Sequence, residues 1–150
     1  MNYVDLGLSV KWADCNNGTE NPYENGEYYC FDDIKDYPNV PTIEQWKELQ
    51  KECSFKYDKE KNGVIVTGKN GNEIFFPFAG EKNGQIEDRT IGAFFWSNSE
   101  YYDDRFAWNS FVSKKVYAKK LRIGNGFISR DKFYISVRTI ETYDEQQVKD

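Results

Sequence analysis

Histidine and cysteine, two residue types central to nucleophilic catalysis and zinc binding, are absent or few in this chain of 150 residues. It contains no histidine, so it lacks the commonest general base and the commonest transition-metal ligand. Its three cysteines, Cys15, Cys30 and Cys53, are too few for an all-cysteine zinc site. The composition therefore excludes Ser-His-Asp, Cys-His and His-zinc sites, and we expect that the protein is not an enzyme.

The charge of the chain argues against nucleic acid as a partner. The formal net charge is −5 and the isoelectric point is near 4.9, whereas binding to phosphates needs a cationic stripe. Residues 114–132 are basic by contrast and could meet an anionic glycan or an acidic protein; the cations are Lys114, Lys115, Lys119, Lys120, Arg122, Arg130 and Lys132. The sequence favours a plainer interpretation, a solvated hairpin whose lysines discourage strand pairing.

One helix is clearly marked in the sequence, at about residues 42–53. Thr42 is followed three residues later by Gln45, which is the spacing of a capping box. Apolar residues then recur at spacings of three and four, at Ile43, Trp46, Leu49 and Cys53.

The rest of the chain has the pattern of short strands. Asn70-Gly71 predicts a hairpin, because both central positions of such a turn tolerate positive φ. We predict loops at 32–39 and 81–91, and strands within 3–13 and at 26–31, 54–57, 63–67, 73–78, 93–97, 106–111, 115–123 and 133–139. One helix with several short antiparallel strands gives an α+β domain.

Five segments carry a recognisable signature: residues 3–13 (YVDLGLSVKWA), 74–80 (IFFPFAG), 92–101 (GAFFWSNSEY), 106–109 (FAWN) and 136–138 (SVR). They resemble the C-type-lectin-like domains that gut Bacteroidetes and their phages carry in many copies. The chain departs from that pattern at Phe31, where the family has tryptophan, at Asn39, where it usually has arginine, and at Thr139, where it has proline.

This resemblance implies one compact C-type-lectin-like domain over residues 1–140, with its terminal strands paired and both termini close together, and a charged tail over 141–150. The chain also resembles the variable proteins of diversity-generating retroelements, whose C-terminal third presents exchangeable side chains to ligands. The formylglycine-generating enzymes of the same superfold need a cysteine pair near the C-terminus, and here no cysteine follows Cys53.

The binding surface that the resemblance implies spans residues 97–132, with a carbohydrate or a protein as its ligand. Tyr, Trp and Arg side chains offer large contact areas and hydrogen bonds with little flexible freedom to lose. The candidate ligand-binding residues are Tyr101, Tyr102, Arg105, Trp108, Asn109, Lys115, Tyr117, Arg122 and Asn125. The alternative is a structural virion protein, a capsid decoration or fibre component.

Calcium is the one cofactor that the resemblance raises, since lectins of this class often bind sugar through calcium. Glu100, Asp103 and Asp104 supply oxygen ligands of the kind that calcium prefers. The Glu-Pro-Asn and Trp-Asn-Asp motifs of calcium-dependent sugar-binding lectins are absent, however. The sequence therefore favours a solvated acidic turn, and we predict no cofactor.

The remaining aromatic and cysteine residues have expected places. We predict Trp12, Trp46 and Trp96 in the core, with Trp108 either in the core or at a loop edge. Cys15 and Cys53, where the resembling family often has cysteine, are expected as buried thiols. The first residues lack the pattern of a signal peptide and no apolar run could span a bilayer, so we expect cytoplasmic synthesis, with assembly into a virion left open.

Overall fold

The structure, a computed structural model, describes residues 1–83, 86–87, 92–100, 106–113, 122–129 and 133–143. The helices are α1 (Phe31–Ile34) and α2 (Ile43–Glu52). The strands are β1 (Tyr3–Val4), β2 (Lys11–Ala13), β3 (Ser54–Asp58), β4 (Gly63–Thr67), β5 (Glu73–Pro77), β6 (Lys82–Asn83), β7 (Ile86–Glu87), β8 (Gly92–Glu100), β9 (Phe106–Ser113), β10 (Arg122–Ser129), β11 (Phe133–Tyr134) and β12 (Ile140–Glu141).

These strands form small antiparallel sheets, and the α+β class predicted from the sequence is confirmed. Among the described residues, four three-stranded sheets have the strand orders β1-β2-β12, β3-β4-β5, β10-β9-β8 and β11-β6-β7. Of the described helices, none is long and apolar enough to cross a membrane.

Helix α2 begins where the sequence predicts. The Thr42 side chain accepts a hydrogen bond from the Gln45 amide, and the Gln45 side chain accepts one from the Thr42 amide, so the capping box is complete. The buried face of the helix carries Trp46 and Leu49. The helix ends at Glu52 and Cys53 caps it, one residue earlier than predicted.

Strands β3, β4 and β5 form a meander close to the predicted boundaries, and the predicted hairpin joins β4 to β5. The predicted turn chemistry is wrong in one respect: Gly71 has a φ of 89°, but Asn70 does not have positive φ. The Gly71 amide donates to the Gly68 carbonyl, and the Gly68 amide donates to the Asn72 carbonyl. Glycine is therefore needed at one position of this turn, not two.

Strand β8 separates two hydrophobic clusters. Phe95 belongs to the main core, where its ring stacks on Trp46 at 5.2 Å between centroids. Trp96 belongs to a second, smaller core, where its ring meets Phe31 edge-on at 5.6 Å and its indole N–H donates to the Tyr29 carbonyl at 2.6 Å. Apolar burial on both sides fixes this strand as the centre of the domain.

The tryptophans predicted for the core are there, since Trp12, Trp46 and Trp96 are all fully buried. Two predicted loops contain regular structure instead. Residues 32–39 begin inside α1, whose N-cap residue Cys30 makes no side-chain capping hydrogen bond, and residues 81–91 include β6 and β7. Helix α1 is stabilised by the burial of Phe31 and Ile34 in the second core. No local sequence pattern predicts that packing.

The predicted proximity of the two ends is confirmed, because the Tyr3 hydroxyl lies 3.0 Å from the Thr139 hydroxyl. The strand boundaries differ from the prediction, however. The central strand is β2, with β1 on one side and β12 on the other, so the C-terminal partner begins at Ile140 and not within 133–139. Tyr143 lies with its ring 5.3 Å from the Lys11 ammonium, which continues the packing beyond β12.

Arg138 is a fully buried cation inside this framework. Its guanidinium donates to the Asn16 side-chain oxygen at 2.7 and 3.0 Å, to the Ala13 carbonyl at 2.9 Å and to the Phe75 carbonyl at 2.6 Å. Burial lowers the pKa of Arg138 to about 9, so the group remains protonated at neutral pH. Hydrogen bonds from this arginine therefore link β2 and the loop that follows it to β5.

We expect Trp96→Ala to lower the free energy of unfolding by about 3–5 kcal/mol, because it removes a buried ring and its hydrogen bond from the second core. Urea denaturation followed by tryptophan fluorescence and circular dichroism measures the change. Lys59→Ala, at an exposed turn, is the control and should stay within about 0.5 kcal/mol. An unchanged transition for Trp96→Ala would contradict the placement of the ring.

Candidate ligand-binding site

The sheet of β8, β9 and β10 contains an irregularity where its pairing changes register. Trp96 of β8 pairs with Asn109 of β9, and Glu100 pairs with Ala107. Strand β8 advances four residues over this interval, whereas β9 advances two. Residues 97–99 of β8 therefore form a bulge opposite a single residue of β9.

Strand β10 repeats this irregularity at the same level, on the other side of β9. Gly124 pairs with Asn109 and Ile128 pairs with Ala107, so residues 125–127 form a second bulge. Trp108 lies between the two bulges, and we call residues 97–99 and 125–127 with Trp108 the double bulge. Bulges bend strands and redirect side chains, and they are enriched beside active sites.

The β8 bulge is fixed by specific hydrogen bonds to the start of α2. The Ser97 hydroxyl accepts from the Ser99 amide at 3.1 Å, and the Ser99 hydroxyl accepts from the Ile43 amide at 3.2 Å. The Asn98 amide donates to the Pro41 carbonyl at 2.8 Å. The amides of a first helical turn lack partners within the helix. The Ile43 amide is one that the capping box does not pair, and the Ser99 hydroxyl accepts its hydrogen bond.

Helix α2 also supports the rest of this sheet. It lies against β8, β9 and β10, and the Trp46 indole N–H donates to the Trp96 carbonyl at 3.3 Å, immediately before the bulge. Ser97 is buried and Asn98 is exposed, so the chain emerges from the core within the bulge. The β8 side of the double bulge is therefore fixed to the edge of the core rather than being a free loop.

Four of the nine residues predicted to bind ligand lie on described strands, close to this feature. Trp108 is the middle residue of the double bulge, and Asn125 begins its β10 side. Asn109 pairs with both neighbouring strands, and Arg122 pairs with Phe111 further along. The other predicted residues lie outside the described residues: Tyr101, Tyr102, Arg105, Lys115 and Tyr117.

Sequence reasoning did not identify the double bulge. Residues 97–99 were included in the predicted surface, but the register that places 125–127 at the same level is a property of strand pairing. The available signal was small: Ser97 and Ser99 are two hydroxyl side chains inside an otherwise aromatic strand, a composition that favours hydrogen bonds to nearby backbone.

The acidic run considered for calcium is described only in part. Glu100 ends β8, and Asp103 and Asp104 lie outside the described residues. Within the part of the chain that the structure describes, no group of three or more Cys, Asp or Glu residues is arranged to hold a metal ion. Most of the basic stretch likewise lies outside it, apart from β10, which begins at Arg122.

The three cysteines are free thiols. Burial raises the pKa of Cys15 to about 11, with a further contribution from the hydrogen bond of its thiol to Asp14. Burial also raises the pKa of Cys53 to about 11, and burial with the neighbouring Asp33 raises the pKa of Cys30. All three thiols are therefore protonated, and weak nucleophiles, at neutral pH.

We expect Cys15 and Cys53 to react slowly with Ellman's reagent in the native protein at pH 8, measured in a Cys30→Ser variant. A pKa near 11 in place of 9.0 lowers the reactive thiolate fraction at pH 8 roughly a hundredfold. The rate should rise about tenfold per pH unit above pH 8, and labelling should be fast in urea. Equally fast labelling with and without urea would contradict the assignment.

Comparison with known proteins adds no further constraint. No protein-family model matches the chain, no curated protein matches it, and no solved structure matches it.

Proposed function

We propose that this protein is a non-catalytic binding module that holds a carbohydrate or protein ligand at the double bulge. The observation that carries the proposal is the coincidence of two bulges on either side of Trp108. Paired bulges at one level interrupt the ladder of the sheet on both sides of a single residue. Such an interruption releases backbone groups and redirects side chains toward a ligand.

The residue types at this point support the proposal. Trp108 is an aromatic residue, and Asn98, Asn109 and Asn125 are amide residues, each with two donors and one acceptor oxygen. Amides with an aromatic ring suit ligands that carry many hydroxyl or peptide groups, since each such group needs a partner once water is displaced. This composition favours recognition by hydrogen bonds and stacking rather than by charge.

The β8 side of the double bulge is held in a fixed conformation, and a binding site benefits from such rigidity. Ser97 and Ser99 fix the β8 bulge to α2, and the helix is itself fixed by Thr42 and by Trp46. A site held in its bound geometry loses less conformational freedom when the ligand arrives, which strengthens binding. The resemblance to C-type-lectin-like domains supports the same conclusion by analogy of fold.

The non-catalytic part of the proposal depends on the reactive groups in the chain. Histidine is missing from the sequence, and raised pKa values keep Cys15, Cys30 and Cys53 protonated. The chain therefore offers no histidine as a general base, and its cysteines offer little thiolate nucleophile at neutral pH. Binding needs none of these groups.

The test is binding of the double variant Trp108→Ala with Asn125→Ala. The unmodified protein should bind at least one carbohydrate on a glycan array or one protein captured from host surface extract. The double variant should bind that same ligand at least about tenfold more weakly, measured by surface plasmon resonance, because a tenfold loss is only about 1.4 kcal/mol.

The control is Lys59→Ala with Glu60→Ala, two exposed residues of the β3–β4 turn, which should bind as the unmodified protein does. Circular dichroism must show that both double variants fold. If the turn variant loses binding and the Trp108/Asn125 variant retains it, the site has been placed on the wrong part of the domain.

A further inference from the structure

A second feature of the domain has the properties of a binding site and shares no residue with the double bulge. It is a groove with a volume of about 250 Å³, beside the outer face of the β3–β5 sheet. Ile65 and Phe75 form its apolar floor, where their strands pair, and Tyr23 forms one wall. Three carboxylates line it as well, from Asp14, Asp58 and Glu73.

The Tyr23 wall is held in place before any ligand binds. Its ring meets Phe75 edge-on, with 5.0 Å between centroids. Its amide donates to the Asn21 side chain at 2.9 Å, and the Glu24 amide donates to the Asn21 carbonyl at 3.1 Å. The Thr19 hydroxyl in turn accepts from the Asn21 amide, so the turn that carries Tyr23 is fixed by its own side chains.

Each of the three carboxylates keeps capacity to accept hydrogen bonds. One oxygen of Asp14 accepts from the Asn2 amide, and one oxygen of Asp58 accepts from the Lys61 amide. One oxygen of Glu73 accepts from the Thr67 hydroxyl at 3.4 Å. Within the described residues none of the three forms an ion pair.

The chain itself already places a cation against the groove wall. The Lys61 ammonium lies 4.6 Å from the centroid of the Tyr23 ring, a cation–π distance. Tyr23 is nevertheless 51% exposed, so much of its surface remains available. The Tyr23 ring therefore accommodates a positive group in the unbound protein.

We propose that this groove binds an arginine side chain of a partner protein. The aliphatic stem of arginine would lie over Ile65 and Phe75, and its flat guanidinium would lie beside Tyr23. A guanidinium presents several N–H donors in one plane and can serve two carboxylates at once, which a lysine ammonium does less well. The groove combines the apolar floor, aromatic wall and carboxylates that these interactions require.

The experiment is an NMR titration of ¹⁵N-labelled protein with the peptide Ac-Gly-Arg-Gly-NH₂. The same peptide with citrulline in place of arginine is the neutral control, since citrulline keeps the shape and loses the charge. The arginine peptide should shift the amide signals of Tyr23, Ile65 and Phe75, and the citrulline peptide should shift them at least about tenfold less at equal concentration.

Three variants test which residues of the groove contribute to binding. Asp58→Asn with Glu73→Gln retains the acceptors for the Lys61 amide and the Thr67 hydroxyl, and it should weaken binding at least about tenfold. Glu60→Gln removes one exposed carboxylate outside the groove and should change binding little. Lys61→Ala removes the internal cation and should strengthen binding.

Equal shifts with both peptides, or no shifts at these amides at about 10 mM arginine peptide, would overturn the proposal, because a site with a Kd of about 1 mM would be almost fully occupied at that concentration. Loss of arginine binding in Glu60→Gln to the same extent as in the double variant would also overturn it. The titration does not involve Trp108 or Asn125, so its outcome is separate from that of the ligand test at the double bulge.

Discussion

The buried guanidinium of Arg138 is the interaction on which the arrangement of this domain depends. A charge removed from water is costly unless its donors are paired. Here carbonyl and amide oxygens of Ala13, Asn16 and Phe75 accept from it, and the ring of Phe76 lies 4.9 Å from its central carbon. These groups are dipoles rather than a carboxylate, so the charge is solvated by two backbone carbonyls and one side-chain amide. The partners come from two distant parts of the chain, residues 13–16 and Phe75, and a displacement of either part would leave a buried donor unpaired.

The two proposed sites, the double bulge and the groove, are each linked to Arg138 through a few neighbouring residues. Asn16, which accepts from Arg138, also donates to the Asn25 carbonyl and so closes the loop that carries the Tyr23 wall. Ser136 lies two residues before Arg138 and pairs in parallel with Phe95 of β8, just before the double bulge. The arginine therefore fixes the base of the groove wall and one edge of the strand that carries the bulge. A rigid framework of this kind lets exposed residues vary without loss of the fold, because the energy of the fold lies elsewhere.

The parts of the fold that the sequence predicted are those with local signals. Helix α2 has a capping box at Thr42 and an apolar stripe, and β4 and β5 have alternating apolar residues on either side of a turn containing Gly71. Helix α1 could not be predicted, since four residues with no side-chain cap depend on burial of Phe31 in a distant cluster. The double bulge depends on register between strands far apart in sequence. The resemblance put Trp108 and Asn125 in the predicted binding surface, but it did not predict their relation to the two bulges.

The most direct test of the role of Arg138 is amide hydrogen exchange in Arg138→Met, with Arg138→Lys as the variant that keeps the charge and loses the planar fork of donors. Removing the guanidinium leaves buried acceptors unpaired, at a cost of roughly 1–3 kcal/mol for each group. Exchange should accelerate most at the amides of Asn17 and Trp96, which donate to the Val137 and Ser136 carbonyls, and less within β4. Arg138→Lys should follow Arg138→Met, because one ammonium cannot reach all of these acceptors. Equal acceleration throughout the domain, or no acceleration at Asn17 and Trp96, would contradict the central position given to this arginine.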